Sequence, residues 1–235
     1  MSRTNSDLVS ICIPVYEMFK EGVEYLKHSL SRITEQDYPN IQVVLSDHSL
    51  DNKIKDLCDE FADTLNIKHV FNKNNIGSSS ANMNNAVYHA DGKILKILFQ
   101  DDYLLHPKAI TLQVESLVSS NRKWCITACA HTQNGIDSID PYYPAFNTNI
   151  LFTNTLSSPS TLMVYREDYQ QADENLLWFM DTDCYYRLYL TTGEPAICQH
   201  INVINRRHPN QITNILVDSK LVSFEQEYLK QKYNL

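Results

Sequence analysis

The chain has 235 residues, and its 43% hydrophobic share suits one α/β domain with a buried core. Only five residues are glycine, and they lie too far apart for a dinucleotide-binding GxGxxG or a P-loop, in which glycines let the backbone approach phosphate. The net charge is −8 and no Lys/Arg run occurs, which argues against a nucleic-acid partner.

Hydropathy and cysteine placement bear on the cellular compartment. No apolar segment reaches the roughly 18 residues of a membrane span, and the N-terminal residues lack the apolar region of a secretion signal. The six cysteines form no CxxC pair and sit mostly inside apolar runs. We therefore expect a cytoplasmic protein with reduced, buried thiols and no transmembrane segment.

The first 130 residues alternate β-branched runs with amphipathic stretches, the pattern of a mostly parallel central sheet flanked by helices. The predicted strands are 8–15, 41–46, 67–71, 94–99 and 124–130. The clearest predicted helix is 52–65, whose apolar residues recur on one face and whose N-cap we expect to be Asp51. Further helices are predicted around 23–33 and 110–118.

The chain changes character near residue 131. Residues 132–160 carry three prolines, few charges and several aromatics, which indicates a long loop that serves a site. The later predicted elements are an apolar run at 161–165, a helix near 180–190, a run at 195–204 and a charged helix at about 218–232. We expect the apolar face of this last helix to pack on the domain, and no linker divides the chain.

Two adjacent carboxylates, Asp101 and Asp102, follow Gln100 where the predicted strand 94–99 ends. In open α/β sheets, ligands bind just beyond the carboxyl ends of strands. Adjacent carboxylates repel each other, so they are stable only in water or on a divalent cation, and hard oxygen ligands suit Mg²⁺ or Mn²⁺. The alternative is a solvated turn that caps the next helix.

Polar side chains also follow the first three strands. Tyr16 and Glu17 come after the first strand and Asp47 after the second, so an aromatic ring and two acceptors meet where a nucleobase could bind. The third strand leads into an amide-rich turn around Gly77 and then a helix, whose N-terminal amides suit an anion. Ordinary turn chemistry is the alternative for each residue, but their coincidence at one edge favours a site.

Six segments, in this order, resemble the family 2 glycosyltransferases, inverting nucleotide-sugar enzymes of the GT-A fold. They are VSICIPVYE, YPNIQVVLSDHSLDN, NNIGSSSANMNNAV, GKILKILFQDD, WFMDTDCYYRL and RRHPN, within residues 8–210. The resemblance implies one Rossmann-like GT-A domain over 1–235, with a nucleotide-binding part at 8–130 and an acceptor-side part with the C-terminal helix at 131–235. It implies inverting transfer from a UDP- or dTDP-sugar to a hydroxyl of a glycan or other acceptor, with Mn²⁺ or Mg²⁺ at the leaving diphosphate.

The resemblance also implies the roles of single residues. The expected nucleotide-sugar contacts are Pro14, Tyr16, Glu17, Asp47, Gly77, Asn82 and Asp101. The expected metal ligands are Asp102 and His208, and the expected catalytic base is Asp181. An acceptor-side or supporting role is expected for Trp178, Asp183 and Arg187, with Asp183 also a rival for the base.

Several positions depart from the family pattern. His48 replaces the usual glycine after Asp47, and Gln100 replaces the first acid of the metal motif, a weaker ligand. The Gly77 loop is one residue longer than common, so Asn84 is an alternative to Asn82. For Asp183 and Arg187, which lie four residues apart on the predicted helix, a surface ion pair is the alternative to a functional role. For Trp178, and for Phe179 beside it, the alternative is packing in the core.

Two other functions compete with glycosyl transfer. A nucleotidyltransferase would share the nucleotide edge but needs a Gly-rich loop, which the scarcity of glycine disfavours. A catalytically inactive sugar-nucleotide or glycan-binding protein is the second alternative, and only donor turnover would distinguish it.

Overall fold

The computed structural model describes residues 6–18 and 21–235, so residues 1–5, 19 and 20 of the expected domain lie outside the described part. The strands are β1 (Val9–Val15), β2 (Ile41–Asp47), β3 (Asn66–Phe71), β4 (Ile94–Ile97), β5 (Tyr103–Leu104), β6 (Trp124–Thr132), β7 (Ile139–Tyr142), β8 (Leu162–Tyr165) and β9 (Ala196–Arg206). The α-helices are α1 (Gly22–Thr34), α2 (Lys53–Glu60), α3 (Ser79–Tyr88), α4 (Ala109–Ser119), α5 (Met180–Thr192), α6 (Ile212–Ile215) and α7 (Ser219–Tyr233).

The five predicted strands are confirmed, with ends that agree within two residues. The helix predicted at 52–65 is shorter, because the carbonyl of Phe61 accepts from the N–H groups of Thr64 and Leu65 and closes a turn after α2. The expected cap was wrong by one residue: Asn52 is the N-cap, although Oδ1 of Asp51 accepts from the N–H of Lys53 at 3.1 Å.

One mixed sheet organises the domain, in the order β3-β2-β1-β4-β8-β6-β9-β5, with β7 paired to β6. The four strands from β3 to β4 are parallel, as the alternating pattern predicted. β8 is antiparallel to β4 and β6, whereas β9 runs parallel to β6 and β5 antiparallel to β9. The carboxyl ends of β1, β2 and β4 therefore lie side by side at one edge of the sheet.

The central strands β1 and β4 are buried on both faces, which explains why apolar residues dominate them without alternation. Ile11 and Ile13 of β1 pack against apolar residues of α1, α2 and α4 on one face. Cys12, between them in sequence, faces the other side with residues of α3 and α5. Leu229 of α7 is fully buried in this second cluster, so the expected packing of the last helix on the domain is confirmed.

Residues 132–160 contain more regular structure than their composition predicted. β7 lies within this segment and adds a strand beside β6. Ile150, Leu151 and Leu156 are buried in the core shared with α5. The segment is therefore anchored to the domain by apolar side chains, and its polar residues are held in fixed positions near the sheet edge.

β9 is longer than the part of β6 that it pairs with, and bulges absorb the excess. Cys198 lies opposite Thr127, whereas Ile201 lies opposite Ala128. By the last pair, Thr132 with Arg206, β9 has contributed three more residues than β6. The bulges set which residues stand at the end of β9.

The thiols and helices also bear on the expected compartment. All six cysteines are buried and unpaired within the described chain. Burial raises the pKa of the Cys125 and Cys184 thiols to about 12, so they stay protonated at neutral pH. No described helix combines the length and apolar character needed to cross a bilayer. The cytoplasmic location stays a prediction.

Gly22 lets α1 begin directly against the end of β1. A Cβ at this position would lie 2.3 Å from the carbonyl oxygen of Tyr16 and 2.7 Å from Nε2 of Gln100. The same Nε2 donates to the carbonyl of Gly22 at 2.7 Å. The contact is with backbone on one side, so a larger residue would displace either α1 or the loop that follows β1.

We expect Gly22→Ala to lower the free energy of unfolding by about 1–3 kcal/mol, because the added methyl cannot fit without backbone movement. Urea denaturation followed by circular dichroism measures this loss. Glu24→Ala on the exposed face of the same helix is the control and should change stability by less than about 0.5 kcal/mol. A Gly22→Ala protein as stable as the parent would show that the junction tolerates a side chain.

Candidate functional site

A cavity of about 260 Å³ opens at the carboxyl ends of β1 and β4. It is lined by eight of the residues expected from the sequence: Pro14, Tyr16, Asn82, Asp101, Asp102, Trp178, Asp181 and His208. These side chains come from strand ends, from α3 and α5, and from the loop after β9. The chain thus brings the expected residues of both halves to one place.

A second cavity of about 270 Å³ adjoins the first. Gly77 and His48 line it, and Tyr16 lies at the border because it lines both cavities. The other lining residues are mainly apolar: Ile212, Ile215 and Leu216 come from α6 and its end, and Ile76 comes from the loop before α3. Because the two cavities share lining residues, we call them together the groove, which has one largely apolar end and one acidic end.

Two residues expected to contact the nucleotide sugar, Glu17 and Asp47, do not line this groove. Glu17 is exposed and borders a separate depression beside α2. Asp47 has a fully buried side chain, whose Oδ2 lies 2.8 Å from Nε2 of His69 and whose Oδ1 accepts from the N–H of Ser49 at 2.7 Å. Asp47 therefore fixes the turn after β2 and presents no free oxygen to the groove.

Gln100 joins β4 to the loop that follows β1. Its Oε1 accepts from the N–H of Tyr16 at 2.9 Å, and its Nε2 donates to the carbonyl of Gly22. A carboxylate at this position could not donate that second bond, which accounts for an amide where the family pattern has an acid. Gln100 thus shapes the cavity wall.

His48 holds the Gly77 loop in place. Its Nδ1 accepts from the N–H of Gly77 at 3.3 Å, so its Nε2 carries the proton and donates to the carbonyl of Asn74 at 3.2 Å. Burial lowers the pKa of His48, which favours this neutral form. Gly77 has φ +93°, a conformation that glycine adopts without strain. The imidazole thus takes over the ordering of a turn that lacks the usual glycine at 48.

Asn82 connects the ends of β1 and β2. Its Oδ1 accepts from the hydroxyl of Ser46 at 2.6 Å and its Nδ2 donates to the carbonyl of Val15 at 3.0 Å. The alternative residue, Asn84, exchanges two hydrogen bonds with the backbone of Ala172. Asn82 borders the cavity and Asn84 does not, so Asn82 is the one of the two that a ligand can touch.

The acidic loop after β4 is bound to the loop after β9. Oδ2 of Asp101 lies 3.0 Å from Nε2 of His208, and Oδ1 of Asp102 accepts from the N–H of Arg206 at 3.0 Å. The guanidinium of Arg206 also donates to the carbonyl of Asp101 and lies over the ring of Tyr25. Burial, together with the neighbouring Asp101 carboxylate, raises the pKa of Asp102 well above its usual range.

The carboxylate oxygens of the acidic loop, with the nearby imidazole of His208, are atom types that bind divalent cations. Within residues 6–18 and 21–235, no three His, Cys, Asp or Glu side chains converge closely enough to form a complete metal centre. Two such side chains do meet, because Oδ2 of Asp101 and Nε2 of His208 lie 3.0 Å apart, at hydrogen-bond distance. A cation would also relieve the repulsion that opposes ionisation of Asp102. The residues present fit Mn²⁺ or Mg²⁺.

Asp181 stands at the first turn of α5, at the border of the groove. Its Oδ1 accepts from the N–H of Thr182 at 2.7 Å and its Oδ2 from Nδ2 of Asn154 at 2.8 Å. Burial raises the pKa of Asp181 to about 7. It also lines a third cavity of about 950 Å³ on the side of β7, which His208 and Arg207 share. Asp181 therefore faces two cavities, and its carboxyl exchanges protons near neutral pH.

Asp183 is held inside the protein by four donor atoms. Its Oδ2 accepts from Nε of Arg187 at 2.9 Å and faces Nη2 at 2.8 Å. Its Oδ1 accepts from Nζ of Lys232 at 2.8 Å and from the hydroxyl of Tyr233 at 2.7 Å. The side chain is fully buried, so Asp183 and Arg187 are not a surface pair. Asp183 supports α7 and has no lone pair free for a substrate proton.

Trp178 lies at the rim of the first cavity, with 40% of its surface exposed. The adjacent Phe179 is buried and contacts the ring of Phe152. The core alternative thus applies to Phe179, whereas the indole of Trp178 is available to a ligand.

Sequence reasoning did not single out Asn154 or assign a task to Arg206. Asn154 lies in the 132–160 segment, which was expected to serve a site, but nothing in its local sequence marks it among the other asparagines. Arg206 belongs to the RRHPN segment, and its bonds to the acidic loop depend on the register of β9. The contacts of these residues identify them: Asn154 donates to Asp181, and Arg206 donates to the acidic loop.

Comparison with solved structures places this fold among glycosyltransferases. The S. aureus TarS 1-349 structure in complex with UDP-GlcNAc superposes with a TM-score of 0.68 at 17% identity, over 90% of this chain and 62% of that one. The mannosyltransferase PcManGT from Pyrobaculum calidifontis, in complex with GDP-Man and Mn²⁺, gives a TM-score of 0.59 at 16% identity, over 87% and 57%. The expected α/β GT-A fold is confirmed, and the chain spans less than two thirds of either structure.

Sequence comparison agrees with the fold. The chain is 30% identical to "Glycosyltransferase GlyG" of Streptococcus pneumoniae serotype 4 over 97 residues, which are 41% of this chain and 31% of that protein. Residues 10–169, more than half of the chain, match Glycosyl transferase family 2. This match includes β1 to β4 and the acidic loop that follows them. The chain belongs to glycosyl transferase family 2.

Proposed function

We propose that this protein transfers a sugar from a nucleotide-diphosphate donor to an acceptor hydroxyl with inversion at the anomeric carbon, and that Asp181 is the general base. The observation that carries the proposal is the position of Asp181, which lines both the groove at the strand ends and the large cavity beside β7. Inverting transfer needs a base between the two substrates, and within residues 6–18 and 21–235 Asp181 is the carboxyl that lines both cavities, which supports the proposal.

The sugar-nucleotide donor fits the groove with its nucleobase at the apolar end. Tyr16 offers a ring for stacking, and the ordered Gly77 loop closes that end. The diphosphate then lies near Asp101, Asp102 and His208, at the acidic end. A UDP-sugar is the favoured donor, which the UDP-GlcNAc bound to the structural neighbour TarS supports.

Asp181 takes the proton of the acceptor hydroxyl as the acceptor oxygen bonds to the anomeric carbon. The bond from that carbon to the diphosphate oxygen breaks on the opposite face, so the configuration inverts, and the proton remains on the carboxyl. Thr182 and Asn154 orient the two carboxyl oxygens, and each oxygen retains a lone pair for the substrate. A pKa of about 7 keeps much of the carboxyl ionised at neutral pH and still able to accept a proton.

Asp102, Asp101 and His208 are the residues that would hold a divalent cation. When bound there, Mn²⁺ or Mg²⁺ would supply Lewis-acid stabilisation of the charge that develops on the leaving diphosphate. Arg206 keeps the acidic loop in register with His208 through its bonds to Asp101 and Asp102. The Mn²⁺ in the PcManGT structure supports this assignment of the ion.

We expect Asp181→Asn to lower turnover by about 100-fold or more, because it removes the base. UDP binding should stay near that of the parent, and the parent's kcat should rise with pH through an apparent pKa near 7. Asp59→Asn, at an exposed pair on α2, is the control. Sugar transfer is measured as the release of nucleoside diphosphate from UDP-sugars in the presence of Mn²⁺. Near-normal transfer by Asp181→Asn would contradict the assignment, and UDP binding by the parent without any turnover would favour the binding-protein alternative.

The raised pKa of Asp181 also predicts a pH-dependent stability change. The folded state binds this proton up to about pH 7, whereas an unfolded carboxyl releases it near pH 4, so stability falls as pH rises between these values. Asp181→Asn should therefore be more stable than the parent at pH 8 by on the order of 1–3 kcal/mol, with little difference at pH 4. Thermal unfolding at both pH values measures this.

Asp183→Asn is the contrasting variant for that measurement. It should be less stable than the parent at both pH values, because it leaves charged donors without their acceptor in the interior. A stability gain at pH 8 in Asp183→Asn, or none in Asp181→Asn, would contradict the opposite environments assigned to the two carboxyls.

The cation assignment predicts a synergy between Mn²⁺ and UDP. A ligand that binds only the folded state raises the melting temperature, so UDP with Mn²⁺ should raise it more than UDP with EDTA. Asp102→Asn should remove the Mn²⁺-dependent part of that shift, whereas Asp59→Asn should keep it. A UDP shift that is the same with Mn²⁺ and with EDTA would overturn Asp102 as a ligand.

A further inference from the structure

We infer that Glu225, on the C-terminal helix α7, is a positioning residue that fixes the backbone carrying Trp178 and Asp181 into the groove. Glu225 is only 1% exposed, whereas Lys220, Glu227 and Lys230 of the same helix face solvent. Val222 and Leu229, three residues before and four after it on the same face, pack in the core cluster. A buried carboxylate on this apolar face needs compensating donors, and the segment that leads into α5 supplies them.

Glu225 receives three backbone hydrogen bonds from the segment that leads into α5. Its Oε1 accepts from the N–H of Leu177 at 2.7 Å, and its Oε2 accepts from those of Trp178 and Phe179 at 3.0 Å each. Phe179 is the N-cap of α5 and offers no side-chain acceptor of its own. Glu225 therefore binds the three N–H groups that lead into α5. At this place the positive end of the α5 helix dipole favours a carboxylate.

The segment that Glu225 binds is part of the cavity wall. Leu177, Trp178 and Met180 line the first cavity, and Asp181 follows two residues after the last N–H that Glu225 binds. The Asp181 side chain accepts from the adjacent N–H of Thr182 and from Asn154 of the 132–160 segment. Asn154 orients one carboxyl oxygen, but the backbone position of Asp181 is set by where the first turn of α5 begins.

A second connection joins the same two helices at a different point. Asp183 of α5 accepts from Lys232 and Tyr233 of α7. Here the carboxylate lies on α5 and the donors on α7, whereas Glu225 is a carboxylate of α7 whose donors precede α5. Asp183 faces away from the groove, whereas the segment held by Glu225 lines it. The second connection therefore serves as an internal comparison: it holds the helices together without contact to the cavity wall.

The three bonds require a carboxylate of this length. A glutamine has one acceptor oxygen, so Glu225→Gln keeps the shape but loses at least one of the three bonds and turns an NH₂ group towards a backbone N–H. Aspartate keeps the charge but is one methylene shorter. Tyr233→Phe removes one bond of the second connection, and Glu227→Gln changes an exposed residue of the same helix that pairs with Lys230.

The first test needs no enzymatic activity. Hydrogen exchange at the amides of Leu177, Trp178 and Phe179 should be about 10- to 100-fold faster in Glu225→Gln than in Tyr233→Phe or Glu227→Gln. Acrylamide should also quench the Trp178 fluorescence more strongly, since the other tryptophan, Trp124, is buried and serves as background. Glu225→Asp should give intermediate values, and it carries the test if Glu225→Gln does not fold. Unchanged exchange at these amides in both variants overturns the proposal.

The second test uses transfer kinetics and rests on the proposed function. At a temperature where all variants are folded, Glu225→Gln should lower kcat by about 10- to 100-fold with the UDP-induced thermal shift unchanged, because the base is misplaced rather than the donor site. Tyr233→Phe and Glu227→Gln should keep the parent's kcat. Equal kcat losses in Glu225→Gln and Tyr233→Phe would reduce Glu225 to a structural residue. A parent without any transfer activity would refute the proposed function, while the exchange and quenching results would still decide the positioning of residues 177–179.

Discussion

The parallel pairing of β1 with both β2 and β4 is the constraint on which the site depends. It places the carboxyl ends of three strands next to each other, so short polar segments far apart in sequence share one edge. Gln100 converts this proximity into a defined shape by joining the backbones on either side of the β1–α1 loop. The acidic loop, the Tyr16 ring and the start of α1 then have fixed relative positions, and the remaining elements are arranged around them.

Much of the fold follows from the sequence because strands buried on both faces leave a strong signal. β1 and β4 are mainly apolar, with one polar residue each, Ser10 and Lys96, and their predicted ends lie within two residues of the observed ones. The helix after Asp51 was overextended because its apolar spacing continues past Glu60, whereas a local turn at the Phe61 carbonyl ends it. Periodicity reports which face is buried, and such turn-closing hydrogen bonds leave no periodic trace.

The site was harder to predict, because polar residue types do not reveal their partners. Asp47 stands at a strand end like a ligand-binding residue, but His69 of β3 engages its carboxylate. Asn82 of α3 borders the cavity, and its amide also bonds to the carbonyl of Val15. Asp181 and Asp183 lie two residues apart on one helix, and only the surroundings give one a pKa near 7 and the other four donors. Glu225 could have been noticed as a charge within an apolar stripe, although its partners could not.

The bulged register of β9 determines the chemistry available to the acidic loop. If β9 paired with β6 without these bulges, Val203 rather than Arg206 would stand opposite Thr132. An aliphatic side chain would then replace the guanidinium beside Asp101, and His208 would be carried past its partner. The irregular register of β9 therefore selects which side chains reach the acidic loop. A change among residues 199–202 that removed the bulges at constant chain length would exchange the residues beside Asp101 without altering any of them.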